Sequence, residues 1–362
     1  MNIAVDARMI RASGIGTFIE NVLQHLIEQQ SAWYFFILGK TEELKEIHKG
    51  NNQNVTLIDC RAPIYSIREQ VEIPVKTPKN IDVFWSPHFN VPVLCRSTLI
   101  VTIHDVAHLA LQGAADTVLK KIYAAIMYRA AVWKSARVTC VSQFTAHEIE
   151  KYIGVPERPI QLLYNAVDES WYHIKKTERK YVAPYFVYVG NIKPHKNLRR
   201  LILAYREAAK NLSEDLLLIG KKEGFITGDD GIEDLLVGFE DRIHFTGYVS
   251  DSELKQYIAW SEGLILLSLY EGFGLPPLEA MATGKKALLS DIPVFHEVYG
   301  DSAMYVDPYD VRQIAKKIQE FSSTSYIPEK LREKAATYSW DRTASEFVKI
   351  VKEVYAEKLG KA

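Results

Sequence analysis

Glu271-Gly-Phe-Gly-Leu-Pro-Pro-Leu-Glu279 places two carboxylates on either side of a glycine turn, after an apolar run and at the start of a helical pattern. Gly272 and Gly274 allow a tight turn and a close approach of backbone to a ligand. The helix behind them offers a positive dipole end and N–H groups to a phosphate. One acid stands before the turn and the other inside the helix, so the two can reach different hydroxyls of one polyol. The plainer reading of the same residues is an ordinary strand-to-helix turn with solvated acids.

A second group runs Val189-Gly-Asn191-Ile-Lys193-Pro-His-Lys196-Asn197. A strand ends at Gly190 and a helix begins at Asn197, so Lys196 is expected at a helix start with its ammonium free for a diphosphate. There it would stabilise charge gathering on a leaving group. Lys193 either assists or belongs to a solvated turn. His104-Asp105 follows the strand Leu99–Ile103 and either binds sugar hydroxyls or phosphate, or caps a loop. A metal held by His104 and His108 would need a helix where that strand ends. Ser13-Gly14-Ile15-Gly16-Thr17 is a lone G-x-G: Ile19 replaces the third glycine of a dinucleotide fingerprint, and Tyr34–Leu38 runs into Gly39-Lys40 without a ribose-binding acid. That disfavours a nicotinamide-dependent oxidoreductase and leaves the glycines to serve at least a tight turn. Phe245–Ser250 leads into a further helix, with Ser250 or Asp251 as N-cap. No Asp-x-Asp triplet occurs to hold a divalent cation.

The elements that position these residues alternate from end to end, short apolar runs with helical patterns, which predicts α/β architecture with parallel sheets. Strands are expected at Ile3–Asp6, Tyr34–Leu38, Val55–Ile58, Val83–Trp85, Leu99–Ile103, Val138–Val141 and Ile160–Leu163. The second half repeats the scheme at Tyr185–Val189, Leu216–Ile219, Ile243–Phe245, Gly263–Leu267, Ala287–Leu289 and Met304–Val306. Helices are expected at Thr17–Glu28, Thr117–Lys134, Gln143–Tyr152, Asn197–Lys210, Ser252–Trp260, Pro276–Ala282, Val311–Phe321 and Trp340–Leu359. A charged stretch at 168–183 reads as a linker between a domain of residues 1–170 and one of residues 183–340. The last helix, about 341–362, has no strand after it and is expected to pack back on the first domain. Two doubly wound sheets direct their strand C-termini toward a ligand crevice.

The 362 residues are too many for one comfortable core. Hydrophobic residues make up 48% and charged residues 25%, the balance of a globular protein, and a net charge of -1 gives no basis for nucleic-acid binding. Cys60, Cys95 and Cys140 lie far apart, which excludes a disulfide framework and a thiolate zinc site. No signal-peptide pattern opens the chain and no apolar run reaches a membrane span, so a cytoplasmic location is expected. The helix Thr117–Lys134 has two readings. Lys120, Lys121, Arg129 and Lys134 with Tyr123, Tyr128 and Trp133 suit contact with the inner face of a membrane; alternatively Leu119, Ile122, Ile126, Ala130 and Trp133 form a core face. The balanced charge favours the core face.

With the two glutamates seven residues apart in between, the chain resembles retaining glycosyltransferase family 4, the mannosyltransferase-like group 1 enzymes of GT-B fold, from the Gly14 segment to Trp340. The resemblance implies two Rossmann-like domains facing a central cleft. It implies that Glu271 contacts the transferred sugar, that Phe273, Gly274 and Leu275 hold sugar and diphosphate through their backbone, and that Glu279 binds ribose hydroxyls. The family clamps the diphosphate with an Arg and a Lys; Lys196 matches the Lys, but Asn191, in the donor-binding segment, stands where the Arg is often found, so that Lys193 or a basic residue elsewhere would have to replace it. His104 would lie beside the reacting sugar, Gly14 and Gly16 in a flexible loop near the diphosphate, and Tyr248 and Val249 against the nucleobase. The activity implied is hexosyl transfer from a GDP-mannose- or UDP-glucose-type donor to a glycan or glycolipid acceptor with retention of configuration, without cofactor or metal. Glu271, Glu279, Lys196 and His104 together disfavour a non-catalytic nucleotide-sugar-binding subunit.

Overall fold

The computed structural model describes residues 1–47, 53–111, 118–177, 179–220 and 231–360. It divides into two compact units, Met1–Asn165 with the C-terminal segment from Ser339, and Ala166–Tyr338.

The first unit is built on β1 (Asn2–Asp6), β2 (Tyr34–Gly39), β3 (Val55–Asp59), β4 (Val83–Ser86), β5 (Thr98–Ile103), β6 (Arg137–Cys140) and β7 (Gln161–Leu162). They form one parallel sheet in the order β3-β2-β1-β4-β5-β6-β7. Its central strands are covered on both faces: Ile3, Ala4, Val5, Val83, Phe84 and Trp85 are all buried, as their unbroken apolar runs require. The helix Trp340–Gly360 supplies part of that cover. Trp340 meets Phe18 of the helix Ser13–Gln29 edge-on at 5.8 Å, and Phe347 lies 4.6 Å from Trp85. A helix without a strand of its own thus shields the sheet on which the chain began.

Strand order reverses between β1 and β4, and a buried ionic network joins their C-terminal ends. Arg8 pairs with Asp6 at 2.7 Å and Glu69 at 2.8 Å. The Asn90 N–H donates to His88 Nδ1 at 3.1 Å, which leaves the Nε2 proton directed at Asp6 Oδ2, 3.3 Å away. Burial opposes ionisation of Asp6, but Arg8 and His88 outweigh it and hold the carboxyl well below the usual range.

The second unit carries β8 (Tyr185–Val189), β9 (Asp215–Ile219), β10 (Ile243–Gly247), β11 (Gly263–Leu266), β12 (Ala287–Ser290) and β13 (Met304–Val306). This sheet is also parallel, in the order β10-β9-β8-β11-β12-β13, with its reversal between β8 and β11. Both units are therefore doubly wound α/β sheets.

Several local expectations are corrected. The helices Thr41–Ile47, Ile67–Lys76, Ala107–Ala110, Pro293–Tyr299 and Pro328–Ala336 escape the apolar periodicity because they are short, open on proline, or contain one (Pro74). Gly14 and Gly16 do not form a flexible loop: they lie in the first turn of Ser13–Gln29. Gly16 is buried, and a Cβ there would run into the carbonyl oxygen of Ile10, so close backbone approach explains this glycine. The helix expected from Thr117 is seen as Val118–Lys134, and Thr117 itself lies outside the described residues. Its Leu119, Ile122, Ile126 and Trp133 do not form a core face but stand exposed. Ala124, Met127, Tyr128, Ala131 and Val132, on the other side, fill the core instead.

Candidate active site

In a doubly wound sheet, ligands bind beyond the strand C-termini where the order reverses. In the second unit that point lies beyond β8 and β11. The chain leaving β8 makes one 3-10 turn, Pro194–Lys196, and reaches the helix Leu198–Ala208 through Asn197. Asn197 is buried with φ +58°, a left-handed conformation that asparagine tolerates, and its Nδ2 donates to the Pro308 carbonyl at 2.8 Å. The Leu269 N–H, in the chain leaving β11, donates to the His195 carbonyl at 2.7 Å. The two loops are thereby held together, and Lys196 Nζ meets Glu271 Oε1 at 2.6 Å. Ser268 Oγ donates to the same carboxylate oxygen at 2.8 Å. The Lys196 and Glu271 side chains are only 21% and 12% exposed, so the pair is partly withdrawn from water. The ammonium is thus not free, as the sequence suggests; it ends a 3-10 turn just ahead of the helix and is engaged by Glu271.

The glycine turn follows directly. Gly274 has φ +87°, and a Cβ there would lie 2.7 Å from Phe295 Cε1. Its carbonyl accepts a hydrogen bond from the buried Tyr299 hydroxyl. The Phe273 side chain is buried edge-on against Tyr338 at 5.5 Å, so this residue can serve a ligand only through its backbone. The helix Leu275–Ala282 begins Leu275-Pro276-Pro277, and the two prolines lack N–H groups. The anion-binding donors expected of this helix end reduce to the turn and Leu275. Among the described residues, the amides of Gly274 and Leu275 meet no backbone acceptor.

Glu279, one turn into that helix, is half-buried. No hydrogen bond or ion pair reaches its carboxylate among the described residues. Burial pushes its pKa up to about 8, and the nearby Asp251 adds to the effect. Tyr248 and Val249 follow β10, two strands from β8 and so roughly 10 Å across the sheet. Tyr248 is exposed, and Ser250 caps the next helix, Asp251–Trp260, with a capping box to Glu253. Asn191 and Lys193 are exposed as well.

His104, Gly14 and Gly16 belong to the first unit. His104 does not pair with Asp105, whose Oδ1 accepts from the Ala107 N–H at 2.9 Å. A carbonyl can only accept, so the 2.9 Å contact with the Pro87 carbonyl places a proton on His104 Nε2. Burial pushes the pKa of this histidine down to about 4. It is a neutral imidazole with Nδ1 left as an acceptor, suited to receiving a hydroxyl and unsuited to carrying charge. His108 falls within Ala107–Ala110 and His104 outside it, so the two do not share a helix face. Among the described residues no three His, Cys, Asp or Glu side chains gather as a metal site, and no helix is long and apolar enough to cross a membrane.

Ser268 and Tyr299 carry no motif of their own. Ser268 is legible only as a hydroxyl at the end of an apolar strand, and Tyr299 acts through a contact made 25 residues away.

Residues 170–339 match the model of glycosyl transferases group 1, and residues 12–171 match that of glycosyltransferase family 4. The chain is 29% identical over 254 residues to the O-antigen chain mannosyltransferase RfbU of Salmonella typhimurium, covering 70% of this chain and 69% of that one. It is 27% identical over 226 residues to the serotype-specific mannosyltransferase WbdA of Escherichia coli, covering 57% of this chain and 27% of that one. Sucrose-phosphate synthase from Thermosynechococcus elongatus has a similar fold, with a TM-score of 0.78 at 16% identity over 99% of this chain and 100% of that one. So does Anabaena Alr3699/HepE in complex with UDP and glucose, with a TM-score of 0.66 at 17% identity over the whole of both chains.

Proposed function

The chain belongs to the group 1 glycosyl transferases, and from that premise we propose that it moves a hexosyl group from a nucleotide-diphosphate sugar to a glycan or glycolipid acceptor, with retention of configuration. The enzyme is a hexosyltransferase. A donor of the GDP-mannose or UDP-glucose type is the reading favoured by the mannosyltransferase relatives and the UDP- and glucose-bound neighbour.

The observation that carries this reading is the Lys196–Glu271 pair at the switch point of the second sheet. An arriving diphosphate competes with Glu271 for the ammonium. Lys196 turns to the phosphate, and the released carboxylate of Glu271 becomes available to the sugar. The amides of Gly274 and Leu275 add donors for the diphosphate, and Glu279 accepts from the ribose hydroxyls. The bond between the anomeric carbon and the phosphate oxygen then breaks as Lys196 offsets the growing charge. The acceptor oxygen bonds to the same face of that carbon, and its proton passes to the departing phosphate oxygen. His104, in the first unit, is a neutral imidazole whose Nδ1 can accept from a hydroxyl. Proton NMR of the product tests the stereochemistry: the new linkage should have the anomeric configuration of the donor, and an inverted product overturns the proposal. A thermal-shift comparison of UDP and GDP selects the base.

Donor affinity should depend on pH through Glu279. Free, this carboxyl has a pKa of about 8, and hydroxyls donating to it favour the ionised form. Affinity should therefore rise with pH up to about 8 and level off above it, while Glu279→Gln removes the dependence. Calorimetric titration of the nucleotide diphosphate from about pH 6 to about pH 9 measures this, and an equal slope in both proteins rejects the assignment.

Transfer should also persist in EDTA, because the sequence has no Asp-x-Asp triplet and Lys196 supplies the positive charge. Loss of activity in EDTA that Mg²⁺ or Mn²⁺ restores would contradict this.

A further inference from the structure

The carbonyl of Gly274 and the N–H of Leu275 belong to one peptide unit. No peptide bond among the described residues is cis, and in a trans unit the two groups point in opposite directions. Whatever holds the carbonyl therefore aims the amide. A Cβ at residue 274 would run into the ring of Phe295, so the position requires glycine, and glycine by itself leaves its peptide free to turn. Turned over, the unit would present a carbonyl oxygen to an arriving phosphate in place of an N–H. The restraint comes from the helix Pro293–Tyr299, whose Phe295 and Tyr299 are fully buried with ring centroids 5.8 Å apart. The Tyr299 hydroxyl donates to the Gly274 carbonyl, and the Leu275 amide is thereby directed away from Tyr299.

The hydroxyl stays a donor. Burial raises its pKa well above the ordinary value and Glu271 adds to the effect, so the proton remains on the oxygen. The helix that carries it is itself pinned: the Tyr305 hydroxyl donates to the Gly300 carbonyl at 2.6 Å, and the Tyr338 hydroxyl to the Val298 carbonyl at 3.0 Å. A carbonyl that accepts a hydrogen bond also polarises the N–H of its own peptide unit, which makes Leu275 a stronger donor. We propose that Tyr299 is a positioning residue for sugar transfer, holding the Gly274–Leu275 peptide with its amide turned to the diphosphate, an inference that rests on the donor-binding role proposed above for that amide. Tyr299 acts through the peptide and meets no reacting atom itself, since its hydroxyl is engaged by the carbonyl.

Tyr299→Phe keeps the ring and removes the donor. In the full chain it should lower kcat by about 10- to 100-fold, less than outright loss of a donor. Affinity for UDP or GDP should fall by about tenfold, while affinity for uridine or guanosine, which lack the phosphates, stays as in the wild type. Tyr305→Phe removes a hydroxyl that holds the same helix without touching Gly274. It should lower the melting temperature yet leave kcat and both affinities unchanged, which separates positioning from mere support. The peptide is read directly by NMR with carbonyl-13C glycine and amide-15N leucine, since Gly-Leu occurs only at 263–264 and 274–275. The Leu275 amide proton should move downfield when the diphosphate is added to the wild type and not when the nucleoside is, a measurement that needs no variant to fold. Wild-type kcat and UDP or GDP affinity in Tyr299→Phe, equal weakening of diphosphate and nucleoside, or a Leu275 amide unmoved by the diphosphate overturns the proposal. If any of these is found in a protein that still binds the diphosphate and transfers sugar, the proposed reaction stands and the positioning role alone falls; a wild type that binds neither UDP nor GDP overturns both.

Discussion

Lys196→Ala is expected to lower kcat by about 100- to 1,000-fold and to change donor KM far less, the usual cost of one lost charge stabiliser at a leaving group. The ammonium matters most when charge has gathered on the diphosphate, so its loss weighs on the transition state. The ion pair adds a second consequence. Without Lys196, the partly buried Glu271 carboxylate keeps the Ser268 hydroxyl as its near partner and repels the incoming diphosphate. The losses in Lys196→Ala and Glu271→Gln should therefore not multiply: residues 2.6 Å apart act as one unit, and the double variant should fall well short of the product of the single effects. Steady-state kinetics on the three variants, with circular dichroism to confirm folding, decides this. Activity of Lys196→Ala within about a factor of two of the wild type rejects its role.

Glu271→Gln and Glu279→Gln should fail in different ways. Glu271 contacts Lys196, and in the proposed reaction it faces the sugar whose bond breaks, so its amide should mainly lower kcat, by about 100-fold or more. In the proposed reaction Glu279 binds hydroxyls that do not change, so its amide should mainly raise donor KM, by roughly 10- to 100-fold, the span of a hydrogen bond to a charged group. The burial of Glu279 supplies an independent readout. Its folded pKa of about 8 lies above the ordinary 4.5. The stability tied to this group is therefore fully present below about 4.5 and is lost as pH rises through about 8. Glu279→Gln should melt higher than the wild type in alkaline buffer and alike in acid, while binding donor more weakly. A site that costs stability for the sake of a ligand behaves in this way. If Glu279→Gln lost kcat while Glu271→Gln changed only KM, the two roles would be exchanged.

The strands of both sheets are legible in the sequence because a parallel sheet covered on both faces writes its strands as unbroken apolar runs, Phe35-Phe36-Ile37-Leu38 in β2 and Leu216-Leu217-Leu218-Ile219 in β9 among them. The Glu271–Glu279 turn is legible for a related reason: a glycine turn, a helix start and their flanking acids are neighbours along the chain, and local backbone geometry dictates their residue types. What joins distant segments is not written locally. Lys196 meets Glu271 only because β8 and β11 lie side by side and the Leu269 amide ties one loop to the other. His104 is neutral because β5 delivers it to a buried place, and burial outweighs both the Pro87 carbonyl and the Asp105 carboxylate, which favour the charged form. Helix Val118–Lys134 states the difference most plainly. Its sequence specifies an apolar stripe at helical spacing, yet this helix has two, and periodicity cannot say which one the sheet covers. Only packing decides that, since the hydrophobic effect rewards burial without direction and the neighbours that provide it come from elsewhere in the chain.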